Sequence, residues 1–291
     1  MGAPSIVLVG SKNLCYTESR SLCPIRFLGG VWMFQLGFTT VTFRKKTLRE
    51  VCEIAKKNRI HLLEWGADVH LPPFDSVALQ EVLALQKEFQ IEANSYGTYY
   101  RLGTKNFELW QELLHIASQI GAKTVRIWMG KTEPFFTTET VFSAMVKETQ
   151  TLCDMAKALG ITVAFEFHRG TYNCSGNATL RFLEAVNRDN VKTYWQPFSI
   201  AKDAQNLQTV LAQTVCIHVF HWNAVGKRYA LEEGKKRWMA FLRMAKTAST
   251  PPTLIMEFVK GDSASQFEQD VATCREWLDA LETESGCIDE T

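Results

Sequence analysis

The sequence predicts an α/β protein of the (β/α)8 class, the TIM barrel. From Met33 onward, short β-like runs alternate with helix-like runs eight times, and no long linker interrupts the series. A doubly wound open sheet is the alternative. That fold usually has a glycine-rich phosphate turn after its first strand, where this chain has FRKKT at 43–47. The closed barrel is therefore the favoured architecture.

The eight units follow one another at regular spacing. The predicted strands cover 36–43, 61–65, 91–95, 124–129, 161–169, 191–196, 215–220 and 253–258. The predicted helices between and after them begin near 47, 76, 106, 139, 178, 200, 236 and 265. Capping boxes open the first helix at Thr47–Glu50 and the last at Ser265–Glu268, and Gly121 and Gly160 end two of the others.

Composition limits the class of partner. The chain has 291 residues, a net charge of +1 and 46% hydrophobic residues, so no overall field draws it to nucleic acid or to an anionic membrane. Its eight cysteines form no CxxC pair, which is typical of a reduced, cytoplasmic protein. We expect residues 1–32 to be an N-terminal extension outside the fold and residues 33–291 to form one barrel domain.

The stretch 161–169, ITVAFEFHR, is the most informative strand. Val163, Phe165 and Phe167 share one face, whereas Ala164, Glu166 and His168 share the other. A glutamate in so apolar a run is costly to bury unless it is paired or binds a metal. The alternative is a glutamate that caps a strand end in solvent.

Similar polar residues fall near the ends of the next three strands. With the strand phases in register, the inward set is Glu166, Gln196, His218 and Glu257. Two carboxylates, an imidazole and an amide oxygen suit an octahedral divalent ion, with Mn²⁺ favoured, Mg²⁺ and Co²⁺ next, and Zn²⁺ less favoured. A strand-end polar network without a metal is the simpler alternative.

Several short motifs resemble those of the sugar phosphate isomerase/epimerase family, the xylose-isomerase-like barrels. The resemblance covers about 37–281 and rests on VTFR (41–44), EWGADVHLPP (64–73), SYGTYYRLG (95–103), VRIWMG (125–130), EFHRGT (166–171), TYWQP (193–197), HVFHW (218–222) and MEF (256–258). It implies that the metal ligands are Glu166, Gln196, His218 and Glu257. The family usually has Asp where this chain has Gln196, and strand phase selects His218 over His221 as the ligand.

The resemblance also implies a reaction. A ketose substrate would bind the ion through its carbonyl and hydroxyl oxygens, and Glu166 and Glu257 would act as an acid/base pair that forms and quenches an enediolate. Proton return to the same carbon gives epimerisation, and return to the neighbouring carbon gives isomerisation. Loss of a β-hydroxyl would make the protein a lyase or dehydratase.

Other strand-end residues are candidates for substrate binding, and each has a structural alternative. The set is His70, Trp65, Arg126, His168, His221 and Trp222. A histidine at a strand end is often a structural hydrogen-bonding residue, the aromatic rings are as often packing residues, and Arg126 is placed to pair with Glu166 or Glu64. The basic residues at 227–237 are more simply a solvated surface than a phosphate site.

We therefore expect a metal-dependent isomerase or epimerase acting on a sugar or a sugar phosphate, with no nucleic acid or membrane partner and with homo-oligomer formation left open. Two readings from other classes are a DNA-repair nuclease, which the near-zero charge and six histidines disfavour, and a catalytically silent sugar-binding barrel, which only Gln196 favours.

Overall fold

The computed structural model describes residues 34–198, 201–223 and 225–286. The expected extension at 1–32 and the predicted helix start at Ile200 lie outside the described residues. Within the described part, no helix is both long enough and apolar enough to span a bilayer.

Eight parallel strands form a closed barrel in chain order, and the first strand pairs with the last. The predicted (β/α)8 barrel is confirmed. The strands are β1 (Leu36–Thr39), β2 (Leu62–Gly66), β3 (Glu92–Arg101), β4 (Thr124–Trp128), β5 (Thr162–Phe165), β6 (Val191–Trp195), β7 (Thr214–Val219) and β8 (Thr253–Met256).

One α-helix follows each strand and packs on the outside of the barrel. The helices are α1 (Leu48–Lys57), α2 (Ser76–Phe89), α3 (Phe107–Gln119), α4 (Glu139–Lys157), α5 (Gly176–Val186), α6 (Asp203–Val210), α7 (Lys235–Ala245) and α8 (Ala264–Gly286). Phe165 of β5 meets Phe182 of α5 with ring centroids 5.6 Å apart, and Trp195 of β6 meets Phe241 of α7 at 4.9 Å. These contacts show which face of each strand points to the helix layer.

Three strands differ clearly in length from the prediction. β5, predicted over 161–169, ends at Phe165, so Glu166 and His168 lie just beyond it. β1 ends at Thr39, and the predicted remainder is a 3₁₀ turn over Thr40–Phe43. β3 instead continues past the predicted end at Ser95 as far as Arg101, where it pairs with Trp128 after a shift in register. Because β3 is extended in this way, Arg101 is placed at the rim of the barrel.

The two predicted capping boxes have different outcomes. Thr47 caps α1 as expected: its hydroxyl accepts from the Glu50 amide, and the Glu50 carboxylate accepts from the Thr47 amide. The predicted cap at Ser265 is wrong. The helix begins at Ala264, and the Gln266 amide donates to the hydroxyl of Ser263 at 3.3 Å, because the serine two residues earlier also satisfies the open amides of the first turn.

Candidate metal and active site

The interior of the barrel changes from apolar to polar over a single layer. One residue from each of β5 to β8 contributes to a buried apolar layer: Ala164, Tyr194, Cys216 and Ile255. The residue two positions later has the same strand phase and is polar in every case: Glu166, Gln196, His218 and Glu257. The structure thus brings the four predicted metal ligands together near the carboxyl ends of the strands, where barrel enzymes have their active sites.

The acidic and imidazole groups of this layer are close together and almost inaccessible. One ligand atom each of Glu166, His218 and Glu257 lies within 4.8 Å of the others, and the residues are 4%, 0% and 6% exposed. Gln196 connects two of them. Its Nε2 donates to Glu166 Oε1 at 3.3 Å, and its Oε1 lies 2.9 Å from His218 Nδ1.

A buried arginine that pairs with two carboxylates supports this layer. Arg126 of β4 contacts Glu166 Oε2 through Nη1 and lies 3.2 Å from Glu64 Oε1 through Nη2. Ser95 donates a further hydrogen bond to Glu64 Oε2 at 3.1 Å. Gly97 makes room for the pair, because a Cβ atom there would lie 2.6 Å from Arg126 Nη2 and 2.8 Å from Glu64 Oε1. Arg126 therefore lies between two carboxylates, as the structural alternative for this residue predicts.

Neighbouring charges in the cluster favour the ionised forms of Glu64, His218 and Arg126. Burial opposes ionisation of Glu64, but the charges of Arg126 and His218 outweigh it and lower the pKa of Glu64. Burial likewise opposes the charged form of His218, but Glu257 and Glu64 raise its pKa. Burial also acts against the charge on Arg126, and Glu166 and Glu64 hold the pKa of that guanidinium well above its usual value.

The donor set fits a divalent cation. Three buried carboxylates, those of Glu64, Glu166 and Glu257, are set against one guanidinium, which leaves two negative charges when His218 is neutral. Buried charge of this kind is costly unless a cation compensates for it. The Nε2 atom of His218 has no hydrogen-bond partner among the described residues. This atom lies 3.8 Å from Glu64 Oε1. A histidine that binds a metal through one nitrogen commonly has a carboxylate near the other.

An aromatic layer lies just above the cluster. Trp128 ends β4 two residues after Arg126, and His168 lies two residues after Glu166, beyond the end of β5. Their ring centroids are 4.7 Å apart. Tyr99 stacks on Trp128 at 6.5 Å. On the other side of the barrel mouth, Trp222 packs against Phe258 at 5.5 Å. His168 and Trp222 are thus both held by aromatic contacts close to the ends of their strands.

Three other predicted site residues, Trp65, His70 and His221, make contacts outside the cluster. Trp65 is fully buried and follows the inward-facing Glu64, so it faces the opposite side of β2. His70 is 3% exposed and its Nε2 lies 2.9 Å from the carbonyl oxygen of Lys46, which ties the second loop to the first. His221 packs against Tyr229, with ring centroids 5.7 Å apart. Burial lowers the pKa of both histidines.

Sequence reasoning missed one residue of this region. Arg101 lies beyond the predicted end of the third strand, and its guanidinium lies 4.5 Å from the centroid of the Trp128 ring. The run of β-prone residues from Tyr96 to Tyr100 is the feature that would have extended the strand to it.

Comparison with solved structures finds the same fold in proteins of low sequence identity. The probable 3-DHS dehydratase AsbF of Bacillus anthracis superposes with a TM-score of 0.71 at 14% identity, over 83% of this chain and 99% of that one. A D-allulose 3-epimerase from Methylomonas sp. gives 0.66 at 13% identity, over 84% and 98%. A xylose isomerase-like TIM barrel protein from Mycobacterium smegmatis, solved in complex with magnesium, gives 0.66 at 13% identity, over 85% and 97%.

No curated protein matches the chain. A family model does match, over residues 35–281, and it accounts for the whole barrel from the strand before the first helix to the last turns of α8. The chain belongs to the xylose isomerase-like TIM barrel family.

Proposed function

We propose that the protein is a divalent-metal-dependent isomerase or epimerase that acts on a small hydroxy-ketone sugar by proton transfer next to the carbonyl. The observation that carries the proposal is the buried group of Glu166, His218 and Glu257, with ligand atoms within 4.8 Å of one another at the mouth of the barrel. The fold is shared with a protein named as a D-allulose 3-epimerase and with a xylose isomerase-like barrel solved in complex with magnesium, and both support this assignment.

The proposed metal ligands are Glu166, Gln196, His218 and Glu257, with Mn²⁺ as the favoured ion. A bound divalent ion would polarise the substrate carbonyl and acidify the adjacent C–H bond. The protein's own residues would then supply the proton transfers through the enediolate, since general acid–base catalysis requires groups positioned at the reacting carbon.

The two glutamates have different surroundings, and these favour different roles. Both oxygens of Glu166 are held, Oε2 by Arg126 and Oε1 by the Gln196 amide. Glu257 has His218 Nδ1 at 3.3 Å from Oε2, and its other oxygen has no hydrogen bond within the described ranges. We therefore assign proton removal to Glu257 and proton return, from the other side, to Glu166. Glu166 would take up a proton from solvent before it acts as the acid, and Glu257 would release the abstracted proton to solvent before the next cycle.

Residues above the cluster would orient the substrate. The Nε1 donors of Trp128 and Trp222 are buried and have no hydrogen-bond partner in the part of the chain that the structure describes. Buried donors of this kind are costly unless a ligand satisfies them, so we propose that they bind substrate hydroxyls together with His168. Arg126 would act through the residues it holds, because its guanidinium already contacts Glu64 and Glu166. His70 Nε2 already contacts the carbonyl oxygen of Lys46.

Elimination of water is the alternative reaction. It would use the same ion and bases on an oxidised sugar or inositol that carries a β-leaving group, and the fold is shared with a protein named as a probable dehydratase. Solvent deuterium in recovered sugar indicates isomerisation or epimerisation, whereas release of water with formation of an unsaturated product indicates a lyase.

The test is a substrate panel in D₂O with Mn²⁺-loaded protein. We expect deuterium in recovered sugar, and we expect Glu257→Gln and Glu166→Gln each to lower kcat/KM by about 100-fold or more, the usual contribution of a general acid or base. Glu184→Gln is the matched control, because it removes the same charge from the exposed face of α5. Absence of both metal binding and exchange across the panel would identify a silent barrel instead.

A further inference from the structure

Arginines surround the mouth of the barrel. They follow the odd-numbered strands, and each guanidinium lies over an aromatic ring: Arg44 over Phe258 at 5.4 Å, Arg101 over Trp128 at 4.5 Å, Arg169 over Phe198 at 5.8 Å and Arg228 over Trp222 at 5.3 Å. Stacking on a ring fixes the plane of a guanidinium and leaves its edge available for hydrogen bonds.

These arginines differ in what compensates for their charge. Arg44 pairs with Asp68 and donates to the Tyr99 hydroxyl at 2.7 Å. Arg228 pairs with Asp262. Arg101 donates from Nη1 to the carbonyl oxygen of Gly130 at 2.7 Å and makes no ion pair with a carboxylate of the described residues. A partly buried guanidinium without a carboxylate partner is suited to bind an external anion.

Arg101 lies above the proposed metal layer. It is opposite Trp128 in the β3–β4 register, and Trp128 contacts His168 one layer above Arg126 and Glu166. Burial lowers the pKa of Arg101, and the charge of Glu166 acts in the opposite direction, so the guanidinium is within electrostatic range of the cluster.

Charge balance then decides what Arg101 would bind. With His218 bound to the ion as a neutral imidazole, the three carboxylates and one guanidinium of the cluster carry two negative charges, which a single divalent ion would cancel. With the ion bound, the positive charge of Arg101 above it has no counterpart nearby, and a low-dielectric site strengthens its attraction for an anion.

We propose that the substrate carries an anionic group, a carboxylate or a phosphate, whose oxygens bind the guanidinium of Arg101 while the hydroxy-ketone end meets the ion. This inference rests on the proposed metal site and names the substrate class for it. It also assigns the anion to the rim at β3, not to the basic residues at 227–237.

The test compares three compounds that share a hydroxy-ketone end and differ in charge: dihydroxyacetone, dihydroxyacetone phosphate and hydroxypyruvate. Their dissociation constants are measured by calorimetry on full-length protein loaded with Mn²⁺. We expect at least one anionic compound to bind about 10- to 100-fold more tightly than dihydroxyacetone, the range of a charge-assisted hydrogen bond. A gain for the phosphate ester or for hydroxypyruvate alone identifies the anion.

Variants separate Arg101 from general charge effects. Arg101→Gln should abolish the preference for the anion, so that the anionic compounds and dihydroxyacetone bind with similar dissociation constants, and Arg101→Lys should keep part of the preference. Arg188→Gln is the control, since Arg188 lies in the loop from α5 to the amino end of β6 and pairs with Asp154 of α4. It should behave as the native protein does.

The outcomes distinguish this inference from the function beneath it. If the protein binds no Mn²⁺, the charge balance and the metal-dependent function both fail. Three results with Mn²⁺ bound would contradict the anionic substrate and leave the metal site standing. They are no binding of either anion, no preference for either anion over dihydroxyacetone, and a preference that survives in Arg101→Gln.

Discussion

Gln196 has an unusual position for a neutral side chain. It is 5% exposed and lies between a carboxylate and an imidazole, with Nε2 3.3 Å from Glu166 Oε1 and Oε1 2.9 Å from His218 Nδ1. An amide satisfies both neighbours, because it offers a donor to one and an acceptor to the other. It contributes no charge to the proposed ion, so the site has less negative charge than one with a carboxylate on the same strand.

Gln196→Glu should therefore tighten Mn²⁺ binding. The substitution conserves shape and adds one negative charge next to the ion, and we expect the dissociation constant to fall by about 10-fold or more, after allowance for repulsion from Glu166. Calorimetric titration with Mn²⁺ measures it. Gln205→Glu adds the same charge on the exposed face of α6 and should leave the dissociation constant unchanged. Unchanged or weaker binding in Gln196→Glu would argue against an ion at this position.

The residues of the cluster were largely accessible to sequence reasoning, because the two-residue period of a strand fixes which side chains share a face. The phase that placed Glu166 inward also placed Gln196, His218 and Glu257 inward. It did not reveal that Trp65 faces away from the cluster, since an aromatic residue at a strand end is equally common on either face. Arg101 was missed because β-prone residues such as those from Tyr96 to Tyr100 do not by themselves fix where a strand ends; the pairing of Arg101 with Trp128 does.

Among the helices, α1 has the most completely capped beginning. The Glu50 carboxylate accepts from the Thr47 amide at 2.8 Å and pairs with Lys46 at 2.9 Å. The Thr47 backbone bond, followed by the hydrogen bond from Lys46, lowers the pKa of Glu50 from its ordinary value of 4.5 to about 2. Because α1 follows the turn that carries Arg44, its beginning helps to hold one side of the barrel mouth.

Glu50→Gln should therefore destabilise the protein in a pH-dependent way. A carboxylate with a lowered pKa in the folded state stabilises it fully above the unfolded value of 4.5 and loses that effect as pH falls toward 2. We expect the variant to unfold at lower urea concentration than the native protein at about pH 7, with a smaller difference at about pH 3. Glu53→Gln removes a charge one turn later in α1, outside the capping box, and should unfold at about the same urea concentration as the native protein at pH 7. Equal differences at both pH values would contradict the assignment.

The limits of prediction for whole elements are also physical. Helix beginnings depend on which of several serines or threonines caps the first turn, and at α8 both Ser263 and Ser265 are suitable. Strand ends depend on pairing with a neighbour, which the sequence does not contain: β1 stops where the 3₁₀ turn begins, and β3 continues to pair with Trp128. The number and order of the elements were nevertheless predictable, since each one buries its own apolar face.

For the molecule as a whole, the barrel must fold around a charged centre. The apolar layer of Ala164, Tyr194, Cys216 and Ile255 lies directly beneath a layer with an excess of carboxylates. Closure by pairing of β1 with β8 brings Glu257 and Glu64 into the same interior, so the barrel cannot close without bringing these charges together. The folded state thus has an electrostatic cost that a cation would remove.

Bound metal should in consequence stabilise the entire fold. A ligand that binds the folded state alone raises the free energy of unfolding by about 2.7 kcal/mol at one hundred times its dissociation constant. We expect Mn²⁺ to raise the melting temperature of full-length protein and a chelator to reverse the shift. Glu257→Gln removes a proposed ligand and should show a smaller shift, whereas Glu184→Gln should show the native one. The effect reports binding and not turnover, so it needs no knowledge of the substrate. A melting temperature indifferent to Mn²⁺ would contradict a cation site at the cluster.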